Sequence, residues 1–174
     1  MLGLADLPLL LDFLVVVQAV VIFLFAGYEY LTLWNFPALP ANTEPRSDPP
    51  MVSIILPVRN QARTVVECLD SLVSLDYPNK EVIVVEGHST DGTQDLLRKY
   101  QGQVKVVGEE PLPPGWVGKN WACHLGYKQA QGELLLFTDG DSIHFPACLK
   151  RTVSYLQSAN ADMVTLAPGA ILKT

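Results

Sequence analysis

Two carboxylates close an apolar run at Leu134-Leu135-Leu136-Phe137-Thr138-Asp139-Gly140-Asp141. Residues two apart in extended backbone point the same way, so Asp139 and Asp141 can converge on one small volume, and Gly140 lets another group approach the backbone closely. Oxygen ligands of this kind suit a hard divalent cation, Mg2+ or Mn2+, held by one or two carboxylates with substrate phosphates completing its shell. The ligand implied is a diphosphate. Asp-Gly-Asp is also ordinary turn chemistry, so the decision rests on what surrounds it. The uncharged run from Leu134 to Thr138 reads as a strand buried on both faces, in the middle of a parallel sheet rather than at its edge.

The elements that must position this pair begin at Met51. Val52 to Leu56 is a β-rich run ended by Pro57 and followed by Arg59 and Asn60. Apolar residues at Val65, Val66, Cys68, Leu69, Leu72 and Val73 then keep helical spacing. Glu81 to Val85 is a second buried strand, ending in Glu86-Gly87-His88-Ser89. Ser89 or Thr90 is placed to cap a helix over 94–100, and Val104 to Val107 reads as a third strand. A Pro- and Gly-rich loop leads into a helix over 119–131, with Trp121, Ala122, Leu125 and Gly126 on its inner face. After the fourth strand, which carries the aspartates, come a helix over 146–158 and a fifth strand over 163–166. Alternation of this kind implies right-handed crossovers and a mostly parallel α/β sheet with helices on both faces. Ligands of such sheets bind outside the carboxyl ends of the strands. The clusters 57–60, 86–89 and 139–141 should therefore share one rim.

The N-terminal part has a different character. From Leu7 to Phe36 the charged residues are Asp12 and Glu29 alone. The helical rise between them is about 26 Å, close to the roughly 30 Å of a bilayer's hydrocarbon. Residues 7–36 are expected to form one transmembrane helix, with Tyr28, Tyr30 and Trp34 as an aromatic belt. A cleaved signal peptide needs a basic leader, and no Lys or Arg precedes Arg46. Every basic residue follows the span, which by the positive-inside rule puts the C-terminal part in the cytosol. Residues 37–50 hold five prolines and read as a stiff linker.

Composition sets the outer bounds. At 174 residues, one domain of ordinary size fits beside the membrane segment. A hydrophobic share of 49% and a mean hydropathy of +0.22 are high for a soluble protein, and the excess lies at the N-terminus. A net charge of -6 with a pI near 4.9 argues against a nucleic-acid partner. Cys68, Cys123 and Cys148 fall in three separate helices without paired spacing, so they indicate neither disulfides nor zinc.

Together, Val52 to Asn60, Val84 to Thr93, Gly118-Lys119-Asn120-Trp121-Ala122 and Thr138-Asp139-Gly140-Asp141 resemble the family 2 glycosyltransferases of the GT-A fold. The resemblance covers residues 51–168. Pro113 to Ala122, with Asp-x-Asp-x-x-His over Asp139 to His144, is most similar to the membrane-anchored branch that glycosylates lipids such as hopanoids, carotenoids or ceramide. The resemblance implies a metal-assisted transfer from a nucleotide-sugar donor to a lipid or lipid-linked acceptor. It assigns Pro57, Arg59, Asn60, Glu86 and Lys119 to the donor side, Asp141 to the metal, and Asp139 to ribose or metal. Two departures stand out. The family has two aspartates where this chain has Glu86-Gly87, and an acidic residue where it has Gln61. The family's general base and acceptor site follow well after Asp-x-Asp, so residues 51–174 are expected to be a partial GT-A domain, and no general base is assigned. A non-catalytic nucleotide-sugar-binding module at the membrane is the alternative. His88 is expected to be a turn residue, His144 to be hydrogen-bonded packing rather than a ligand, and Asp91 to support a helix N-terminus.

Overall fold

Strand β1 (Val52–Val58) is the axis of the sheet because its side chains, Ser53 apart, are apolar on both faces and nearly all are removed from solvent. In the computed structural model, which describes residues 7–34, 39 and 48–166, it is flanked by β2 (Lys80–Glu86) and β4 (Leu134–Phe137), with β3 (Lys105–Gly108) outside β2. The order is β3-β2-β1-β4 and every pairing is parallel. Val58 stands opposite Glu86, and Glu86 opposite Gly108, so these strands end at one rim.

Helices cover both faces. Val52, Ile54, Leu56, Val82 and Val84 pack with Cys68, Leu69 and Leu72 of α2 (Val65–Val73), Leu97 of α3 (Thr93–Leu97), and Leu149 and Val153 of α5 (Cys148–Ser158). On the opposite face Trp121, Ala122 and Leu125 of α4 (Gly118–Gln129) cluster with Val85. Gly126 sits so close to the sheet that a methyl group there would meet Ile55 Cγ2 at 2.5 Å and Val85 Cγ2 at 3.2 Å. At the opposite end of β1, Ser53 donates to Glu81 Oε1 at 2.6 Å and accepts the Gly132 amide at 2.8 Å. The Gln131 amide donates to the same Glu81 oxygen at 2.7 Å, which pins the start of β4 to β1 and β2.

Two expectations are corrected here. The strand carrying the aspartates is not central: β4 pairs only with β1 among the described residues, and Leu135 and Phe137 are 39% and 51% exposed. Its Leu134 and Leu136 pack on the α2 and α5 side, whereas α4 covers β1 and β2 and leaves the other face of β4 open. Residues 163–166 form no strand, and Met163 is 79% exposed. A run with β propensity becomes a strand only where a neighbouring backbone accepts its hydrogen bonds.

The chain divides into two units, one ending at Leu39 and one beginning at Pro40. The first holds α1 (Leu7–Trp34), 28 residues or about 42 Å of helix. Its segment Leu11–Thr32 is long and apolar enough to cross a membrane. Most of the linker expected over 37–50, and residues 35–36 of the expected span, lie outside the described residues.

Candidate functional site

Backbone forced into unusual conformations marks the rim. Asn60 follows β1 at φ 54 and His88 follows β2 at φ 54, both left-handed and both non-glycine. Such positions cost free energy and persist only where neighbouring interactions hold them. Here they interlock: the Asn60 amide donates to Ser89 Oγ at 2.9 Å, and Asn60 Oδ1 accepts the Thr90 amide at 2.9 Å. Asp91 adds a second tie by accepting the Ala62 amide and both the amide and hydroxyl of Thr93. The Thr93 hydroxyl, then the Ala62 amide, lower the Asp91 pKa. No side chain caps α3; its start at Gly92 is left-handed, and the turn is held by Asp91.

Glu86 is consumed by the same loop. Its carboxylate accepts the Ser89 amide at 2.7 Å, the His88 amide at 3.2 Å and Gln94 Nε2 at 2.8 Å. Burial opposes its ionisation, yet the Ser89, Gln94 and His88 hydrogen bonds prevail and its pKa is lowered. It faces a groove shared with Gln94, Arg98 and Gln101, not the cleft of the aspartates.

That cleft, about 360 Å³, opens at the carboxyl ends of β1, β2 and β4. Pro57, Arg59, Gln61, Gly87, Glu109, Lys119, Asp139 and Asp141 line it. Of the residues singled out in the sequence, the structure therefore brings together Pro57, Arg59, Lys119, Asp139 and Asp141. Asn60 and Glu86 shape the loops instead. Lys119, in the first turn of α4, places Nζ 2.7 Å from Asp139 Oδ1. That hydrogen bond is the main cause of its raised pKa.

The aspartate loop is held from behind. Cys68 Sγ donates to the Asp139 carbonyl at 3.5 Å, and burial, then the Asp141 charge, push the thiol up to about 11. Cys68 is an un-ionised packing group. Thr138 Oγ1 lies 2.8 Å from His144 Nε2, and the His144 amide donates to Ser71 Oγ at 3.1 Å. His144 is thus hydrogen-bonded packing, and burial lowers its pKa. Gln61 packs its Cγ against Gly140, where an added methyl would sit 3.3 Å away.

The donor set fits a hard cation in part. Asp139 and Asp141 are exposed oxygen ligands on one loop, while no group of three or more His, Cys, Asp or Glu converges among the described residues. Two carboxylates with open positions match the way Mg2+ is shared between protein and substrate phosphates.

One charged cleft residue escaped the sequence reading. Glu109 directly follows β3, and the rule that ligands sit at strand carboxyl ends applied to that strand as well. Gln61, noted in the sequence only as a departure from the family, also lines the cleft.

Residues 53–173 match the model of glycosyl transferase family 2. The chain belongs to that family. It is 31% identical over 117 residues to the poly(ribitol-phosphate) beta-N-acetylglucosaminyltransferase TarS of Staphylococcus aureus, covering 66% of this chain and 20% of TarS. The 4,4'-diaponeurosporenoate glycosyltransferase of Staphylococcus haemolyticus is 32% identical over 90 residues, 52% of this chain and 24% of the relative. Among solved structures, TarS 1-349 in complex with UDP-GlcNAc superposes with a TM-score of 0.55 at 27% identity, covering 71% of this chain and 37% of that one. The mannosyltransferase PcManGT of Pyrobaculum calidifontis, in complex with GDP-Man and Mn2+, gives 0.58 at 27% identity, covering 76% and 39%. The fold is GT-A. This chain thus spans well under half of each relative.

Proposed function

We propose that this chain binds a nucleoside diphosphate sugar in the cleft between Arg59 and Asp141 and serves its transfer to a lipid or lipid-linked acceptor at a membrane. The observation that carries the reading is the cleft itself: two cations, Arg59 and Lys119, line it at the strand ends together with the Asp139 and Asp141 carboxylates. Lys119 would hold the phosphates, Pro57, Arg59 and Gly87 line the cleft on the nucleoside side, and Asp139 with Asp141 would hold Mg2+ or Mn2+. The bound cation would neutralise charge developing on the leaving diphosphate. Lys119 would then exchange its pairing with Asp139 for a phosphate oxygen. Asn60 and Glu86 act on the donor by fixing the loops beneath it.

Support for donor and metal comes from the family and from the UDP-GlcNAc and GDP-Man/Mn2+ complexes of similar structures. The lipid acceptor draws on the Pro113 to Ala122 stretch, on α1, and on a relative whose name gives a lipid acceptor; TarS, named for a polymer, is the counter-example. In this reading residues 7–36 anchor the chain as a single pass, 37–50 link, and 51–174 carry the donor site on the cytosolic side.

The test is transfer itself. Membranes containing the full chain are supplied with radiolabelled UDP- and GDP-sugars and Mn2+, then partitioned into organic solvent. Label in the organic phase, lost in Asp141→Asn, is expected. Label confined to polymer overturns the lipid acceptor, and retained nucleotide without any product favours the binding module.

A further inference from the structure

Gly87 leaves a gap in the donor wall that a side chain from another strand fills. A methyl group at Gly87 would lie 2.8 Å from Glu109 Oε2 and 3.3 Å from Arg59 Cβ, so the Glu109 carboxylate occupies the space into which a residue at 87 would project. The backbone of Glu109 is fixed on both sides: its amide donates to the Glu86 carbonyl at 2.9 Å, and its carbonyl lies 2.9 Å from His88 Nε2. The left-handed turn at His88 thus aims a ring at Glu109. Glu86 is unavailable, since three donors occupy its buried carboxylate. Neither the Glu109 carboxylate nor the Arg59 guanidinium has a hydrogen-bond or ion-pair partner among the described residues, and both line the cleft.

Resting on the donor reading above, we infer that Glu109, acting with Arg59, reads the base of the nucleotide and selects a lactam edge, the adjacent N–H and C=O of uracil or guanine. Glu109 follows β3 and Asp139 follows β4, at opposite edges of the four-stranded sheet. Three strand spacings separate them, roughly 14 Å. A diphosphate held at the aspartates therefore extends its nucleoside toward Glu109. A carboxylate accepts from the ring N–H and a guanidinium donates to the adjacent carbonyl. Adenine and cytosine present a ring acceptor in place of that N–H and leave the carboxylate facing a lone pair. An unpaired buried or half-buried polar group is what gives such sites their discrimination.

The experiment titrates UDP, GDP, ADP and CDP, each with Mn2+, into the full chain in detergent micelles by calorimetry. UDP or GDP is expected to bind roughly ten- to a hundredfold tighter than ADP and CDP, the range of a hydrogen bond to a charged group. Glu109→Ala removes that preference while metal-dependent binding persists. The double variant Glu109→Ala with Gly87→Asp restores it, which a merely structural role for Glu109 does not predict. Base preference unchanged in Glu109→Ala overturns the inference while the donor site stands. If no nucleotide binds the unaltered chain, donor reading and inference fall together.

Discussion

Lys119 Nζ lies 2.7 Å from Asp139 Oδ1, joining the start of α4 to the end of β4 across the cleft. The pair is partly exposed, so its worth lies in positioning and in competition for Asp139 rather than in stability. Lys119→Ala should tighten Mn2+ binding in the absence of nucleotide, because a competing cation leaves Asp139. The same change should weaken Mn2+-UDP or Mn2+-GDP by about tenfold. Paramagnetic titration of Mn2+ with and without nucleotide reads both effects, and parallel weakening of the two would contradict the exchange.

The pairing also fixes a pH response. Hydrogen bonding to Asp139 raises the Lys119 pKa above its ordinary 10.5. The charged form therefore persists until the pH passes that raised value, and nucleotide affinity should show no Lys119 titration between pH 6 and 9 on the scale of lysine pKa values.

His144 gives the opposite case. Burial lowers its pKa from the ordinary 6.5, so the folded chain keeps the ring neutral while the unfolded chain takes up a proton near 6.5. The stabilisation is present above 6.5 and is lost as pH falls through the lower folded value. Thermal unfolding in detergent at pH 5.5 and 7.5 should show a drop that His144→Gln reduces. Equal drops in both proteins would remove His144 from the account.

Gly126 sets the seat of α4, and with it the position of Lys119. Gly126→Ala drives a methyl group to 2.5 Å from Ile55 Cγ2 and should cost about 1–3 kcal/mol in chemical denaturation. A variant as stable as the parent would show that α4 shifts freely on the sheet.

Ser53 is fully buried and bridges Glu81 to the Gly132 amide. Ser53→Ala leaves those groups short of a partner and should cost about 1–3 kcal/mol by the same measurement. Ser53 lies at the end of β1 remote from the cleft, so metal-dependent nucleotide affinity at saturating folding should not change.

The sequence showed which segments become β1 to β4 and the rim they share because apolar runs, Pro57 and the polar strand ends carry that information locally. What covers a strand is not local. Leu134 to Phe137 is as apolar as a central strand, yet α4 leans over β1 and β2 and leaves Leu135 and Phe137 open. Residues 163–166 have strand chemistry without a strand beside them among the described residues. At the site, Glu86 has the residue type of a donor contact, but the left-handed turn at His88 wraps backbone amides around its carboxylate. The Glu109 carboxylate beside Gly87 comes from a different strand, a juxtaposition that only tertiary structure creates.

The most direct test of the donor site is calorimetric titration of UDP and GDP with Mn2+ into the full chain and into Asp141→Asn. Saturable, metal-dependent binding to the parent and its loss in the variant is the expected result. Binding of equal affinity to both proteins, or binding indifferent to Mn2+, would contradict the role given to Asp139 and Asp141.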